Sequence, residues 1–213
     1  MTERREVAIG TKGLPGSLAV PADARGLVIF VHGSGSGRRS PRNRWVAERL
    51  VGAGLGTLLF DLLTEAEGED RANVFDIPLL GVRTEEAVAF AAADPGLAPL
   101  PVGLFGASTG AAAALVAAAN VPDRVAAVVS RGGRPDLAAP RLARVKAPTL
   151  LIVGGEDDVV IDLNREALAM LTCERELAIV AGATHLFEEP GALDEVCDLS
   201  VAWFRRHLAR SLA

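Results

Sequence analysis

Short apolar runs alternate with longer helical stretches along the chain. Strands buried on both faces are predicted at residues 26–32 and 57–62, and further strands at residues 101–105, 124–130, 148–153 and 176–180. Helices are predicted at residues 41–52, 84–93, 109–120, 136–145, 162–171 and 192–209. This alternation implies right-handed crossovers and a largely parallel sheet, with an antiparallel edge strand at residues 16–21.

The same pattern predicts one α/β domain over residues 1–213, because no linker or repeat interrupts it. The acidic stretch at residues 64–81 has no clear period and is expected to be an irregular loop. In parallel sheets, sites form outside the carboxyl ends of the strands, so the residues that follow each strand deserve most weight.

The strand at residues 101–105 runs into Gly106-Ala107-Ser108-Thr109-Gly110, and a helix begins at once. This is the G-x-S-x-G nucleophile elbow in its required setting of strand, sharp turn and helix. The pattern alone is a weak signal, but the flanking elements favour a nucleophilic Ser108 over a capping serine. We expect the two glycines to be needed because side chains there would collide with backbone.

A nucleophilic serine needs a base and a group that orients the base. His185 follows the strand at 176–180, whereas His207 lies inside the last helix, so His185 is the predicted base. The orienting acid should follow the strand at 148–153. Three consecutive acids stand there, and we expect Asp157, with Asp158 as the second choice.

The glycine-rich loop after the strand at 26–32 is predicted to complete an oxyanion hole. We expect its two donors to be the backbone N–H groups of Ser34 and Thr109. A phosphate-binding loop is the alternative, but the segment HGSGSG lacks the lysine of such loops. His32 is expected to be structural.

Composition narrows the classes of partner. The formal net charge of −5 gives no reason to expect a nucleic-acid partner. No apolar run reaches membrane-spanning length, and residues 1–10 are too polar for a signal peptide, so we expect a cytoplasmic protein away from membranes. Cys173 and Cys197 have no metal-ligand partners at useful spacing, so we expect reduced thiols and no metal site.

The segments GLVIFVHGSGSG, GASTG, LLIVGGEDD and GATHLFEEPGAL together resemble the α/β-hydrolase superfamily, and within it the capless members related to dienelactone hydrolases. This resemblance implies a mostly parallel sheet of about eight strands with helices on both faces, no cap domain and no cofactor. It also implies a triad of Ser108, Asp157 and His185. Dienelactone hydrolases themselves carry a cysteine nucleophile, so the serine at position 108 favours a serine esterase.

The sequence thus predicts a serine hydrolase of small-molecule carboxylic esters. A thioesterase or acyltransferase with the same triad remains open, as does a non-catalytic binding module on the same scaffold. Arg131 follows a strand at the predicted site edge, and either a substrate carboxylate or a structural salt bridge would suit it. Arg38, in a local arginine cluster, is a second candidate for substrate binding. A homodimer is left open.

Overall fold

The computed structural model describes residues 1–208, which form one eight-stranded sheet with helices on both faces. The strands are β1 (Thr2–Ile9), β2 (Leu14–Pro21), β3 (Leu27–Val31), β4 (Gly56–Phe60), β5 (Val102–Ala107), β6 (Ala127–Arg131), β7 (Thr149–Gly154) and β8 (Arg175–Val180). The helices are α1 (Pro41–Gly52), α2 (Glu65–Glu69), α3 (Arg71–Val74), α4 (Ile77–Ala93), α5 (Thr109–Asn120), α6 (Ala139–Leu142), α7 (Asp158–Met170) and α8 (Ala192–His207), with a 3₁₀ turn at Pro135–Ala138.

The strand order across the sheet is β1-β2-β4-β3-β5-β6-β7-β8. Strands β3 to β8 run parallel, while β1 pairs with β2, and β2 with β4, in antiparallel fashion. The predicted fold class is therefore confirmed: this is an α/β-hydrolase fold, and residues 1–208 include no cap domain. The parallel strands bring the segments after β3, β5, β6, β7 and β8 to one edge of the sheet.

Two apolar cores lie on opposite faces of the sheet. One packs α4, α5, α6 and α7 against it, and the other packs α1 and α8. Helix α5 is the most enclosed, since every residue from Thr109 to Ala119 is buried. Its alanines have no long side chains, so the helix axis can lie close to the strands. None of the helices within residues 1–208 is both long and apolar enough to cross a bilayer.

The hydrophobic pattern missed one strand of the sheet, β1. Strand β1 lies outside β2, so the stretch at residues 16–21 is antiparallel as expected but is not the edge. Most β1 side chains are polar and exposed, and Arg4 and Arg5 form ion pairs on the surface. Charged side chains are common on edge strands because they oppose pairing with other molecules, and they hide the apolar alternation that identifies inner strands.

The stretch at residues 64–81 is more ordered than an irregular loop. It contains α2, α3 and the start of α4, which begins at Ile77 rather than near residue 84. Thr64 and Glu67 form a reciprocal capping box, and the Asp76 carboxylate accepts the N–H of Leu79 at 2.9 Å. Polar capping groups, not apolar periodicity, define these short elements. The last predicted helix ends at residue 209, which lies outside the described residues; α8 ends at His207.

A buried aromatic pair couples the two central strands. The rings of Phe30 on β3 and Phe105 on β5 lie 4.9 Å apart, and both side chains are buried. We expect Phe105→Ala to lower the free energy of unfolding by about 3–5 kcal/mol, because it leaves a cavity beneath the elbow. Urea denaturation measures this loss. The matched control is Phe75→Ala at an exposed site, where a loss above about 1 kcal/mol would contradict the assignment of the core.

Candidate active site

Ser108 occupies a strained turn between β5 and α5. Its backbone angles are φ 52° and ψ −123°. Residues other than glycine rarely adopt this region, and doing so costs about 1–3 kcal/mol. A Cβ added at Gly106 would collide with the backbone of Ala111, and one at Gly110 with the carbonyl oxygens of Val31 and His32. The expected steric role of both glycines is confirmed, since the obstructing atoms are backbone.

The segment after β6 holds the backbone of the turn in place. The Ser108 N–H donates to the carbonyl of Arg131 at 3.2 Å, and the Ser108 carbonyl accepts the N–H of Arg134 at 3.1 Å. The buried Asn164 amide in turn donates to the carbonyl of Gly133 at 3.0 Å. These bonds hold the turn against the segment after β6 and add to the local bond that the Ser108 carbonyl accepts from the N–H of Ala111 at 3.1 Å. Asn164 lies far along the chain, and sequence reasoning missed it.

His185 and Asp157 lie against each other at the ends of β8 and β7. The His185 Nδ1 is 2.7 Å from Asp157 Oδ2, so an Nδ1–H donates to the carboxylate and Nε2 keeps its lone pair. A Cβ at Gly154 would collide with the carbonyl of Ala183, which shows how closely the two loops approach. Among the three consecutive acids, Asp157 is the one whose carboxylate contacts the imidazole.

Ser108 and His185 line the same cavity of about 230 Å³, here called the catalytic cavity, together with Ser34, Arg42 and Arg131. The imidazole rests on the turn after β6, where a Cβ added at Gly132 would be 3.6 Å from His185 Cε1. Within residues 1–208 no hydrogen bond joins the Ser108 hydroxyl to the imidazole. Catalytic hydrogen bonds often tighten only when substrate binds, so this apo geometry is compatible with proton transfer.

The two expected oxyanion donors, the N–H groups of Ser34 and Thr109, lie close together because Ser34 is hydrogen-bonded to the Thr109 side chain. As the first residue of α5, Thr109 has a backbone N–H without an intrahelical acceptor, at the positive end of the helix dipole. The Ser34 N–H donates to Thr109 Oγ1 at 3.0 Å. The Ser34 donor is therefore adjacent to Ser108 but engaged in the resting structure, a bond that sequence reasoning missed.

His32 anchors the same loop from beneath. Its Nε2 accepts the N–H of Leu62 at 3.1 Å, so the proton is on Nδ1, which lies 3.0 Å from the carbonyl oxygen of Gly33. Burial lowers the pKa of His32, with smaller opposing effects from Gly33 and Asp61. A neutral His32 thus links the ends of β3 and β4, which agrees with the structural role expected for it.

Arg131 is buried and has no anionic partner among the described residues. Burial, and secondarily the charge of Arg42, lower the pKa of its guanidinium to about 10, so it stays cationic at neutral pH. Its Nε has no hydrogen-bond acceptor within residues 1–208. The guanidinium carbon lies 5.8 Å from the ring centre of Phe187, which offers a weak cation–π contact. A structural salt bridge, one of the two roles expected for Arg131, is not formed.

Arg38, the second candidate for substrate binding, is held by a hydroxyl and two carboxylates. Its guanidinium donates to Glu6 and to the Ser17 hydroxyl, both at 2.8 Å, and lies 3.3 Å from Asp61. These contacts tie the loop after β3 to β1, β2 and β4. Arg38 does not line the catalytic cavity; from the same arginine cluster it is Arg42 that does, and sequence reasoning did not single it out.

The family model for the dienelactone hydrolase family matches residues 14–196, which contain every residue of this candidate site. The chain belongs to the dienelactone hydrolase family. A crystal structure of dienelactone hydrolase from Anabaena variabilis ATCC 29413 is 53% identical, covers 98% of both chains and has a TM-score of 0.93. Est1E from Butyrivibrio proteoclasticus shares the fold, with a TM-score of 0.80 over 96% of this chain and 98% of its own at 15% identity.

A further relative of this dienelactone hydrolase family member has a different name. The Mycobacterium tuberculosis (strain ATCC 25618 / H37Rv) protein "Putative phosphoribosyl transferase Rv0571c" is 57% identical over 206 residues, which is 97% of this chain but 46% of that protein. The chain therefore spans about half the length of this curated relative. A name given to the longer protein describes more than the matched half.

The neutral state of His32 predicts a pH-dependent stability. Because its pKa is lowered from the ordinary 6.5, the unfolded chain binds the extra proton first. Its contribution is complete above about pH 6.5 and is lost as the pH falls towards the folded-state pKa, by at most about 1.4 kcal/mol per pH unit. Urea denaturation between pH 7.5 and 5.5 should show this loss.

The control is His32→Asn, which removes the titrating ring. We expect its stability to be lower at pH 7.5, because the Leu62 N–H loses its acceptor, but flatter across the same pH interval. An equal slope in both proteins would contradict the role assigned to His32.

Proposed function

We propose that the chain is a serine hydrolase that cleaves carboxylic esters of small molecules through an acyl-enzyme on Ser108. One observation carries the proposal: the strained serine and the imidazole paired with Asp157 line one cavity. A nucleophile, a base and an orienting carboxylate are the groups that acyl transfer to water requires. Membership of the dienelactone hydrolase family supports a hydrolase in general terms.

The proposed reaction begins when Ser108 Oγ attacks the ester carbonyl carbon and His185 Nε2 takes the hydroxyl proton. Asp157 holds the ring and stabilises the imidazolium. The oxyanion accepts the Thr109 N–H, and the Ser34 N–H joins it by giving up its bond to Thr109 Oγ1. His185 then protonates the leaving alcohol. In the second half, His185 takes a proton from water, the hydroxide oxygen attacks the acyl carbon, and the bond to Ser108 Oγ breaks as His185 returns the proton to Oγ, which releases the acid.

The buried Arg131 supports an anionic group on the substrate. A cation without a counter-charge is costly to bury, and a bound carboxylate or phosphate would compensate it. Arg42 brings a second cation to the same cavity, with Glu188 at 2.7 Å as its surface partner. We assign the anion to these two arginines and not to Arg38, which does not line the catalytic cavity.

The phosphoribosyl transferase name of the Mycobacterium tuberculosis relative is not carried over to this chain. That protein is about twice as long, and its matched half corresponds to the segment that contains Ser108, Asp157 and His185. The proposal concerns the chemistry of this segment alone.

Substitutions at Asp157 and Asp158 should show which of the two adjacent carboxylates orients the imidazole. We expect Ser108→Ala to lower kcat/KM for a p-nitrophenyl ester by at least about 10⁴-fold, and Asp157→Asn by about 10³–10⁴-fold, because the imidazole loses its orienting acceptor. The matched control is Asp158→Asn, one residue along, which should stay within about threefold of the parent protein. A larger loss at 158 than at 157 would overturn the assigned acid.

The anion preference is tested with 3-carboxyphenyl acetate and 3-carbamoylphenyl acetate, whose leaving groups have similar shapes. We expect the parent protein to prefer the carboxylate in kcat/KM by about tenfold or more, because a charge-assisted bond forms to Arg131. Arg131→Met should abolish this preference while its thermal midpoint is no lower, since an unpaired buried charge is removed.

The exposed Arg165 provides the control. Arg165→Met removes one positive charge at an exposed site that does not line the catalytic cavity, and it should keep the preference. If Arg131→Met unfolds several degrees lower and still prefers the carboxylate, Arg131 is structural and the anion-binding proposal fails.

A further inference from the structure

A second, larger cavity opens on the other side of the loop after β3. Its volume is about 600 Å³, and we call it the distal cavity. One wall is the loop at residues 33–39, which ends in Arg38 and Arg39. The other wall is the segment from 61 to 65 with Gly68, Val74 and Leu80. Gly33, Ser34 and Ser36 line both this and the catalytic cavity, so one loop separates two adjoining spaces.

The distal cavity presents mainly apolar surface. Leu62, Leu63, Val74 and Leu80 supply side chains to it. Several of the polar groups along its walls are already engaged. Both ring nitrogens of His32 are hydrogen-bonded or in contact with backbone oxygen, Asp61 accepts the Arg38 N–H at 2.8 Å, and Thr64 belongs to the capping box. An occupant would therefore gain from apolar contact more than from hydrogen bonds.

The order of the strands gives the direction in which a substrate would extend. The base His185 follows β8 and rests against the turn after β6, on one side of Ser108. The distal cavity adjoins the ends of β3 and β4, on the other side. Because His185 must protonate the leaving oxygen, the alcohol part faces the base and the acyl part points away from it.

We infer that the distal cavity binds the apolar acyl chain of the substrate. This inference rests on the proposed function. With the anion held by Arg131 and Arg42 on the side of the base, the substrate class is an ester of an apolar acid longer than acetic acid with an anionic alcohol. The acidic stretch at residues 64–81, which contains α2 and α3, then sets the acyl-chain specificity.

Gly68 offers a way to fill the cavity without disturbing the fold. A Cβ added there meets nothing within 4 Å, and its backbone has no positive φ. Gly68→Phe therefore places a ring at the cavity wall. The matched control is Gly52→Phe at the end of α1, which also has open space and lines neither cavity. A second filling variant, Val74→Phe, approaches from α3.

The experiment compares kcat/KM for p-nitrophenyl acetate and p-nitrophenyl hexanoate, which share a leaving group. A fully buried methylene is worth about fourfold, so for this half-open cavity we expect the hexanoate to exceed the acetate by about tenfold or more. Gly68→Phe and Val74→Phe should lower that ratio towards one, and Gly52→Phe should leave both rates unchanged.

The possible outcomes separate the two proposals. A ratio near one in the parent protein, or a ratio that folded Gly68→Phe and Val74→Phe both leave unchanged, overturns the acyl-chain inference and leaves ester hydrolysis standing. If kcat/KM rises with the length of the alcohol in a series of acetate esters, but not with the length of the acyl chain, the acyl-chain inference is also overturned. Failure of the folded parent protein to hydrolyse any of these esters, or full activity in Ser108→Ala, overturns the proposed function itself.

Discussion

The backbone of α5 approaches the ends of β3 and β5 so closely that only glycine fits at two positions around Ser108. Gly110 lies against the carbonyl oxygens of Val31 and His32, and Gly106 against the backbone of Ala111. This contact brings together three features: a strained serine, a helix N-terminus beneath it and a glycine-rich loop beside it. The alanines of α5 extend the same close packing along the sheet. The position of every candidate group in the catalytic cavity depends on it.

Hydrogen bonds and ion pairs hold the loops around Ser108 in place, in addition to this close backbone packing. The turn after β6 bonds both backbone groups of Ser108, and the imidazole of His185 rests on the same turn. On the other side, neutral His32 and the ion pairs of Arg38 hold the loop after β3. Nearly every polar group around the site is thereby engaged within the protein. The buried Arg131 has neither a hydrogen-bond acceptor for its Nε nor an anionic partner within residues 1–208, and this is why its charge points to a substrate.

Local signals explain which parts of this arrangement the sequence predicts. Buried strands, the elbow at residues 106–110 and the order of serine, acid and histidine all leave marks within a few neighbouring residues. Strand β1 does not, because it is an edge strand paired on one side only, and five of its eight residues are polar. The distinction between Arg38 and Arg42 is also non-local: it depends on Asp61 and Glu6, which other strands bring to Arg38. The same holds for the bond between Ser34 and Thr109.

The central claim is that Ser108 is a nucleophile activated by His185. Its most direct measurement is the reaction of the folded protein with a fluorophosphonate, followed by mass spectrometry of the intact chain and of its peptides. The account predicts one adduct per chain, on the peptide that carries Ser108, and a large drop in the labelling rate in His185→Gln. An adduct on another residue, or folded protein that stays unlabelled, would contradict it.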